Sequence, residues 1–512
     1  MQTSNLIAPR PSTARSSELG IIDLGSNTAR LVVYASTPEG GLRLLLESKE
    51  IPRLGMGRES DGSLSREAIE RGIGALRRFA RLLSASGNPR TIAVATSAVR
   101  DAPNGPEFLQ RVRREARLTP EIIDGEEEGR YAYLGVSSAF ALSNDLVVDL
   151  GGGSLQGVRV HQGRLVDSIS RPLGALRMTE DYLEHDPPKR KEIDELREHV
   201  RKEFRKFPTA GNGRLFGVGG SIRSLGRVAI QLKNYPIQRV HAYPITDRDL
   251  RALGELLFEM PSDRRKGVAG LSGQRADVIL AAIVIVEELL RATAADHLYV
   301  CGPGIREGIA SVAFGIALPA PAEELAHRSV SAYARSLGFS LAHGEAVADA
   351  ATSVFDQLHP TRERDAGARL ALRVAGWMHD SGTVIDPGLH AEHSAYILRY
   401  ATVLGLFHRE TLLASMAAEL HEGDEAPPGW RREFRGILDD KEFDLGEELG
   451  ALLFLAETLI GSGVSSKVMR GGKRIVLSAS RSVKDRLSDR SFDRLVRVFD
   501  RVLGLEVAWD GH

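Results

Sequence analysis

The feature that most narrows what this chain can fold into is a short pattern that occurs twice. Ile21-Ile22-Asp23-Leu24-Gly25-Ser26-Asn27-Thr28 runs on into Leu31-Val32-Val33-Tyr34, and Val147-Val148-Asp149-Leu150-Gly151-Gly152-Gly153-Ser154 runs on into Val158-Arg159-Val160. Each copy reads as strand, Asp-Leu-Gly, polar turn, strand, which predicts a β-hairpin with a phosphate-sized notch at its tip. Glycine has no Cβ, so successive backbone N–H groups there can turn toward an anion, and positive φ costs little. A carboxylate just ahead of such a notch suits a metal ligand, because Mg²⁺ is usually held by one or two carboxylates, waters and phosphate oxygens. A lone Gly-rich hairpin is most often only a tight turn. Two copies predict a duplicated fold that grips one phosphate chain between its halves.

Strand and helix alternate around these hairpins, which predicts α/β layers with functional groups at strand ends. Leu42–Glu47 reads as a strand and Arg53–Gly57 as a loop. Ser65 caps a helix carrying Ile69, Ile73, Leu76, Ala80 and Leu83, and Thr91–Ala95 is a short buried strand. Arg100 stands just beyond that strand, where a solvated loop arginine and a ligand contact are equally open. Glu126, Glu127 and Glu128 open a helix. Three glutamates there are explained by the helix N-terminus, at about 0.3–1 kcal/mol each, or by one of them orienting an attacking water. Composition does not choose among the three. Leu215–Ser221 and Cys301–Gly308 repeat the strand-to-glycine-to-helix turn, and Gly270–Asp277 precedes a long apolar helix. From about Pro319 helical patterns dominate, beginning with Val330–Leu341 and Val347–Leu358, while Arg474–Leu477 and Leu505–Ala508 read as short strands.

The 67 Lys and Arg residues against 68 Asp and Glu leave a formal net charge of −1. No global attraction to a polyanion follows, so phosphate binding must be local, and no nucleic-acid partner is expected. Cys301 is the one cysteine. It lies in the apolar run Leu298–Cys301, which predicts a buried strand thiol, excludes an internal disulfide and fits a reducing cytoplasm. No stretch approaches the roughly 18 uninterrupted apolar residues of a membrane span. Residues 1–19 lack the apolar core of a signal peptide and are expected to form a disordered tail.

Asp23–Arg30, Glu126–Arg130 and Asp149–Ser154 resemble the phosphate loops of the exopolyphosphatase and guanosine-pentaphosphate phosphohydrolase (Ppx/GppA) family. The resemblance runs from about Gly20 to Gly308 and more loosely onward. It implies an α/β chain with a duplicated actin-like, sugar-kinase-like ATPase fold, in subdomains 20–140 and 141–318. A mainly helical HD-like domain with a small α/β element then occupies 319–512. By the same resemblance, Glu128 is the catalytic glutamate, and Ser26, Asn27, Gly152, Gly153 and Ser154 hold phosphate oxygens. Arg100 and Arg275 contact phosphate, and Asp23 and Asp149 place Mg²⁺ or another divalent cation. The implied activity is release of terminal phosphate from inorganic polyphosphate. Hydrolysis of guanosine pentaphosphate is the alternative in the same class, and a polyphosphate or nucleotide sensor with weak catalysis the alternative outside it. A cytoplasmic homodimer, joined through the C-terminal domain that also lengthens the substrate channel, is implied as well.

Two places leave questions open. Family members commonly carry Glu two residues after the Ser of the second loop, where this chain has Gln156. If the lost carboxylate limits metal binding, restoring it is expected to raise activity at low Mg²⁺. In the helical region, His379-Asp380, with His343, His390, His393, His421 and Asp424 nearby, could form a second metal centre. Helix caps and buried hydrogen bonds explain these residues equally well.

Overall fold

A computed structural model describes residues 18–209, 211, 213–360, 366–423, 425–460, 465–468, 474–478 and 489–509. The chain divides into two compact units after Ala320. Most of the expected tail, residues 1–17, lies outside the described residues. Glu18 and Leu19 do not belong to a tail, because they open the first strand and Leu19 is buried.

In the first unit, β1 (Glu18–Leu24), β2 (Ala29–Ser36), β3 (Leu42–Glu50), β4 (Arg90–Ala95) and β5 (Glu121–Ile122) form a sheet in the order β3-β2-β1-β4-β5. A second sheet takes β6 (Leu146–Leu150), β7 (Leu155–His161), β8 (Arg164–Arg171), β9 (Leu215–Val218), β10 (Pro244–Thr246) and β11 (His297–Val300), in the order β10-β11-β9-β6-β7-β8. In each sheet an antiparallel meander is extended by strands parallel to its first member, β4 on β1 and β9 on β6. The series β8-β7-β6-β9-β11 therefore repeats β3-β2-β1-β4-β5. This is the duplicated α/β architecture that the two hairpins predict.

The repeat extends to register. Asp23 pairs with Arg30 across the first hairpin, and Asp149 pairs with Gln156 across the second. Both aspartates stand near the carboxyl ends of central strands, where α/β sheets bind ligands. Alternation along β1 explains how they are held: Ile22 and Leu24 pack with Phe79 and Phe108 on one face, while Leu19 and Ile21 pack with Tyr131 and Ile309 on the other.

Ile309 belongs to the helix Ile305–Phe314, which follows β11 yet covers the first sheet. The expected division into 20–140 and 141–318 assigned this helix to the second half, and its packing places it on the first. A Cβ on Gly308 would lie 2.0 Å from the Tyr131 carbonyl oxygen, and one on Gly135 would lie 2.1 Å from that of Gly304. Only glycine lets this helix approach the helix Gly125–Ser137 so closely, and the two halves are thereby interlocked. Cys301 is fully buried just past β11, as the apolar run predicts.

The second unit is built on the helices Ala322–Leu337, Leu341–Leu358, Ala366–Met378, His390–Tyr400, His408–Leu420 and Asp440–Leu459. The helical run expected over Val330–Leu341 is cut at Gly338, whose φ of 83° ends one helix before Leu341 begins the next. A small sheet of β12 (Ser465–Val468), β13 (Arg474–Ser478) and β14 (Glu506–Trp509) completes the unit. Among the described residues no helix is long and apolar enough to cross a membrane.

Candidate active site

The two hairpin tips face each other, and glycine permits it for a reason other than the one the sequence suggested. Gly25, Gly151, Gly152 and Gly153 all avoid positive φ. Gly152 and Gly153 are needed for space, since a Cβ on Gly153 would sit 2.2 Å from Ser97 Oγ and one on Gly152 would sit 3.1 Å from the Asn27 amide nitrogen. Both turns close alike, with Gly25 N–H donating to Thr28 O and Gly151 N–H to Ser154 O, each at 3.0 Å. The carbonyls beside them are pinned from outside. Gly55 N–H and Arg53 N–H donate to Ser26 O and Asn27 O, and Ala175 N–H and Leu176 N–H donate to Gly151 O and Gly152 O. With the carbonyls so engaged, the N–H groups of Ser26, Asn27, Gly152 and Gly153 have no protein acceptor among the described residues. Four amides at the tips of two facing loops form an anion-binding concavity.

A cavity of about 100 Å³ lies at these tips, lined by Asp23, Asn27, Asp149, Arg223, Arg275 and Arg306, with Arg30 beside them. Ser26 and Gly152 also line a neighbouring cavity of about 630 Å³, where Gly153, Arg58 and Arg177 are found. The arginines of the smaller cavity crowd one another. Burial, then the charges of Arg306 and Arg30, pulls Arg223 down to about 9; burial and Arg30 pull Arg275 down to about 10. Lys49 falls to about 8 through burial and the charges of Arg275 and Arg30. Such a gathering of cations is unfavourable unless an anion joins it.

The carboxylates are perturbed in the opposite sense. Burial raises Asp23, against the pull of Arg306 and Arg30, and burial together with the charge of Asp23 pushes Asp149 up to about 7. Glu128, 4 % exposed, is pushed up to about 8 by burial and then by Asp149. Its Oε2 accepts from Arg100 Nη1 at 3.2 Å and from Gln156 Nε2 at 3.0 Å. Gln156 Nε2 also lies 2.8 Å from Ser154 Oγ, while Gln156 Oε1 is buried without a partner. Three neighbouring carboxylates raised in this way are a mark of functional sites.

Comparison with known proteins is decisive at this point. The Ppx/GppA phosphatase family matches residues 32–313, more than half of the chain, and the family's domain III matches residues 326–426. The chain belongs to the Ppx/GppA phosphatase family. It is similar to Exopolyphosphatase 1 of Mycobacterium tuberculosis, with 30% identity over 298 residues that cover 57% of this chain and 86% of that protein. Exopolyphosphatase 2 of the same organism is 31% identical over 307 residues, covering 56% of this chain and 96% of the relative. Among solved structures, an exopolyphosphatase from Cytophaga hutchinsonii aligns at a TM-score of 0.53 and 24% identity, covering 59% of this chain and 100% of its own. An exopolyphosphatase-like protein aligns at 0.52 and 28% identity, covering 58% and 98%. The paired sheets are thus the actin-like, sugar-kinase-like fold of the Ppx/GppA family.

Within this Ppx/GppA fold the residues singled out by sequence are brought to one place, with differences in what each faces. Asp23, Ser26, Asn27, Asp149, Gly152 and Arg275 line the smaller cavity, and Gly153 lines the larger one. Arg275 comes from a 3₁₀ turn and donates to Ser221 Oγ at 3.2 Å. Arg100, Glu128 and Ser154 line neither cavity; Arg100 and Ser154 bond toward Glu128 and Gln156 instead. Burial distinguishes Glu128, the one the resemblance singles out, from its two neighbours. Asp124 caps the helix by accepting from Glu126 N–H and Glu127 N–H at 2.9 Å, and of the three only Glu128 turns inward. Arg30, Lys49, Arg223 and Arg306 were not singled out. Arg223 and Arg306 each lie in the first turn of a helix after a strand and a Gly-rich turn, a pattern already visible around Gly219-Gly220 and Gly302–Gly304. Gly219, at φ 104°, passes so near the Leu150 carbonyl that a Cβ would lie 2.3 Å away.

Proposed function

We propose that this chain releases terminal orthophosphate from inorganic polyphosphate by attack of water on the last phosphorus. The observation that carries the reading is the convergence of Arg30, Arg223, Arg275 and Arg306 on a crevice bordered by the free loop amides of Ser26, Asn27 and Gly152, with Lys49 within reach of their charge and Gly153 in the adjoining cavity. Phosphoryl transfer is governed by positioning and charge neutralisation, and these groups supply both. In this reading the amides of Ser26, Asn27, Gly152 and Gly153 hold oxygens near the scissile bond, and the arginines hold the phosphates that follow.

Glu128 accepts the proton of the attacking water at a carboxylate oxygen. The new P–O bond forms as the anhydride P–O bond breaks, and the departing chain keeps the bridging oxygen. Arg100 and Gln156 orient Glu128 by donating to Oε2, and the unpartnered Gln156 Oε1 is an acceptor available to the same water. The residues fit a divalent cation, because Asp23 and Asp149 are neighbouring carboxylates that both line the crevice at the loop tips, each raised by burial against the pull of nearby arginines. Mg²⁺ held there would neutralise phosphate charge.

Guanosine pentaphosphate is the runner-up substrate. No aromatic side chain lines the smaller cavity, whereas Tyr182 and His199 line the larger one that shares Ser26 and Gly152, so stacking of a base does not by itself separate the two substrates. One assay tests the reading: phosphate release from long polyphosphate, guanosine pentaphosphate and ATP, side by side. The expected result is turnover of polyphosphate well above the other two. Preference for guanosine pentaphosphate supports the runner-up, and binding without turnover supports a sensor.

A further inference from the structure

The second unit gathers four imidazoles and two carboxylates from separate segments. His343 comes from the helix Leu341–Leu358, His379 and Asp380 from the end of Ala366–Met378, and His390 from the start of His390–Tyr400. His421 caps His408–Leu420, and Glu457 lies on Asp440–Leu459. Ligand atoms of His343, His379 and Asp380 lie within 4.8 Å of one another, as do those of Asp380, His390 and His421.

Hydrogen bonding fixes how three of the rings present themselves. His379 Nδ1 lies 2.8 Å from Gly376 O, His390 Nδ1 2.9 Å from Pro387 O, and His421 Nδ1 2.6 Å from Ala418 O. A carbonyl only accepts, so each Nδ1 carries a proton, and in the neutral ring each Nε2 keeps its lone pair. This second contact is how metal-binding histidines are usually oriented. All three Nε2 atoms turn toward one another's neighbourhood. His390 Nε2 and His421 Nε2 stand 3.1 Å apart, an approach of two acceptors that makes no hydrogen bond between neutral rings. His379 is 1 % exposed and its Nε2 has no hydrogen-bond partner of good geometry, although Glu457 Oε2 is 3.2 Å away.

The His390–His421 separation and those to Glu457 are those of atoms that share an ion, while Asp380 stands slightly farther off. Two ligands about 2.1 Å from a metal, at angles between right and tetrahedral, are about 3.0–3.4 Å apart. His343 Nε2 and His379 Nε2 each lie 3.2 Å from Glu457 Oε2, within that range. Asp380 divides its oxygens. Oδ2 lies 3.8 Å from His343 Nε2 and 3.6 Å from His379 Nε2, while Oδ1 lies 3.8 Å from His390 Nε2.

We propose that His343, His379, Asp380, His390, His421 and Glu457 form a divalent transition-metal centre in which Asp380 is shared between the His343–His379–Glu457 side and the His390–His421 side. A donor set of four imidazoles and two carboxylates suits Mn²⁺, Fe²⁺, Co²⁺ or Zn²⁺, whereas Mg²⁺ takes oxygen ligands. The centre is therefore distinct in kind from the Asp23–Asp149 site. Glu457 was not foreseen from sequence, and Asp424, considered there as a ligand, lies outside the described residues. His393, four residues before Ile397 on the same helix, is not part of the cluster.

The test uses the full chain, stripped with a chelator and titrated with Co²⁺ while the visible d–d absorption of a nitrogen-ligated ion is followed. Asp380→Asn and His390→Gln are examined beside it, with far-UV circular dichroism as the check on folding. The expected result is stoichiometric Co²⁺ absorption in the parent that excess Mg²⁺ does not displace. Both variants should lose at least about tenfold in Co²⁺ affinity, the scale on which disturbed metal shells respond. The proposal is overturned if the folded parent develops no such absorption, if Mg²⁺ displaces the Co²⁺, or if both folded variants titrate as the parent does. A cluster held by shared protons alone gives the first of these results.

Discussion

Gln156→Glu exchanges a donor for an acceptor at the point where the second loop meets the helix Gly125–Ser137. In the parent, Gln156 Nε2 stands 3.0 Å from Glu128 Oε2. A hydrogen bond to a charged acceptor is worth about 1.5–3 kcal/mol. At about 1.36 kcal/mol per pKa unit, its loss alone raises Glu128 by about one to two units. The new carboxylate adds repulsion, because two full charges at the 3.0 Å separation interact by about 5–6 kcal/mol at an effective dielectric of about 20. The pair then retains one proton well into the alkaline range. Glu128 already stands at about 8 through burial and Asp149. A raised carboxylate acts as a base only above its pKa, so Glu128-dependent activity is lost as pH falls through that value. The acidic limb of kcat/KM should therefore move to higher pH by at least about one unit, with about tenfold or more activity lost near neutrality. The carboxylate that the sequence expectation would restore for the metal's sake thus acts first on Glu128. Steady-state phosphate release across pH, repeated over a Mg²⁺ series, measures both effects. An unmoved acidic limb together with higher activity at low Mg²⁺ would refute the reasoning and return Gln156 to the metal.

Glu128→Gln should keep polyphosphate binding and lose about 10²–10⁴-fold in kcat, the usual contribution of a general base; near-normal turnover would remove Glu128 from the chemistry. Asp149→Asn should raise the Mg²⁺ concentration for half-maximal activity, since one of two charged ligands is lost, and an unchanged metal titration would exclude that role. Arg275→Ala should raise KM for polyphosphate by about tenfold or more with a smaller change in kcat, from the loss of charge-assisted contacts. A chain ending at Ala320 retains every residue of the candidate site. It should still release phosphate; loss of dimerisation in sedimentation and of long-chain preference in a chain-length series would support the homodimer and channel roles that the resemblance implies for the second unit, and retention of both would count against them.

Local chemistry alone determined a good part of this protein. Asp-Leu-Gly after a continuous apolar run marked both hairpins, because a buried strand's composition and a turn's need for small residues are set by near neighbours in the chain. Register then followed, placing Asp23 and Asp149 at equivalent points. Local reasoning went astray where the cause was distant. Gly152 and Gly153 avoid positive φ and answer instead to the other loop, 126 residues away in the case of Ser26 and Gly152. The helix Ile305–Phe314 crosses back to the first sheet because its apolar face matches Leu19 and Ile21, a match that no sequence window contains. Tertiary structure shows what sets apart Glu128, the glutamate that the family resemblance singles out: of the three it alone is buried, against Gln156 and Arg100. It also assembled Arg30, Lys49, Arg223, Arg275 and Arg306 into one cationic crevice, and His343, His379, His390, His421, Asp380 and Glu457 into one cluster. Electrostatic and coordinating groups act through space over a few ångströms. Their partners are chosen by how helices and sheets pack, and chain separation carries little of that information.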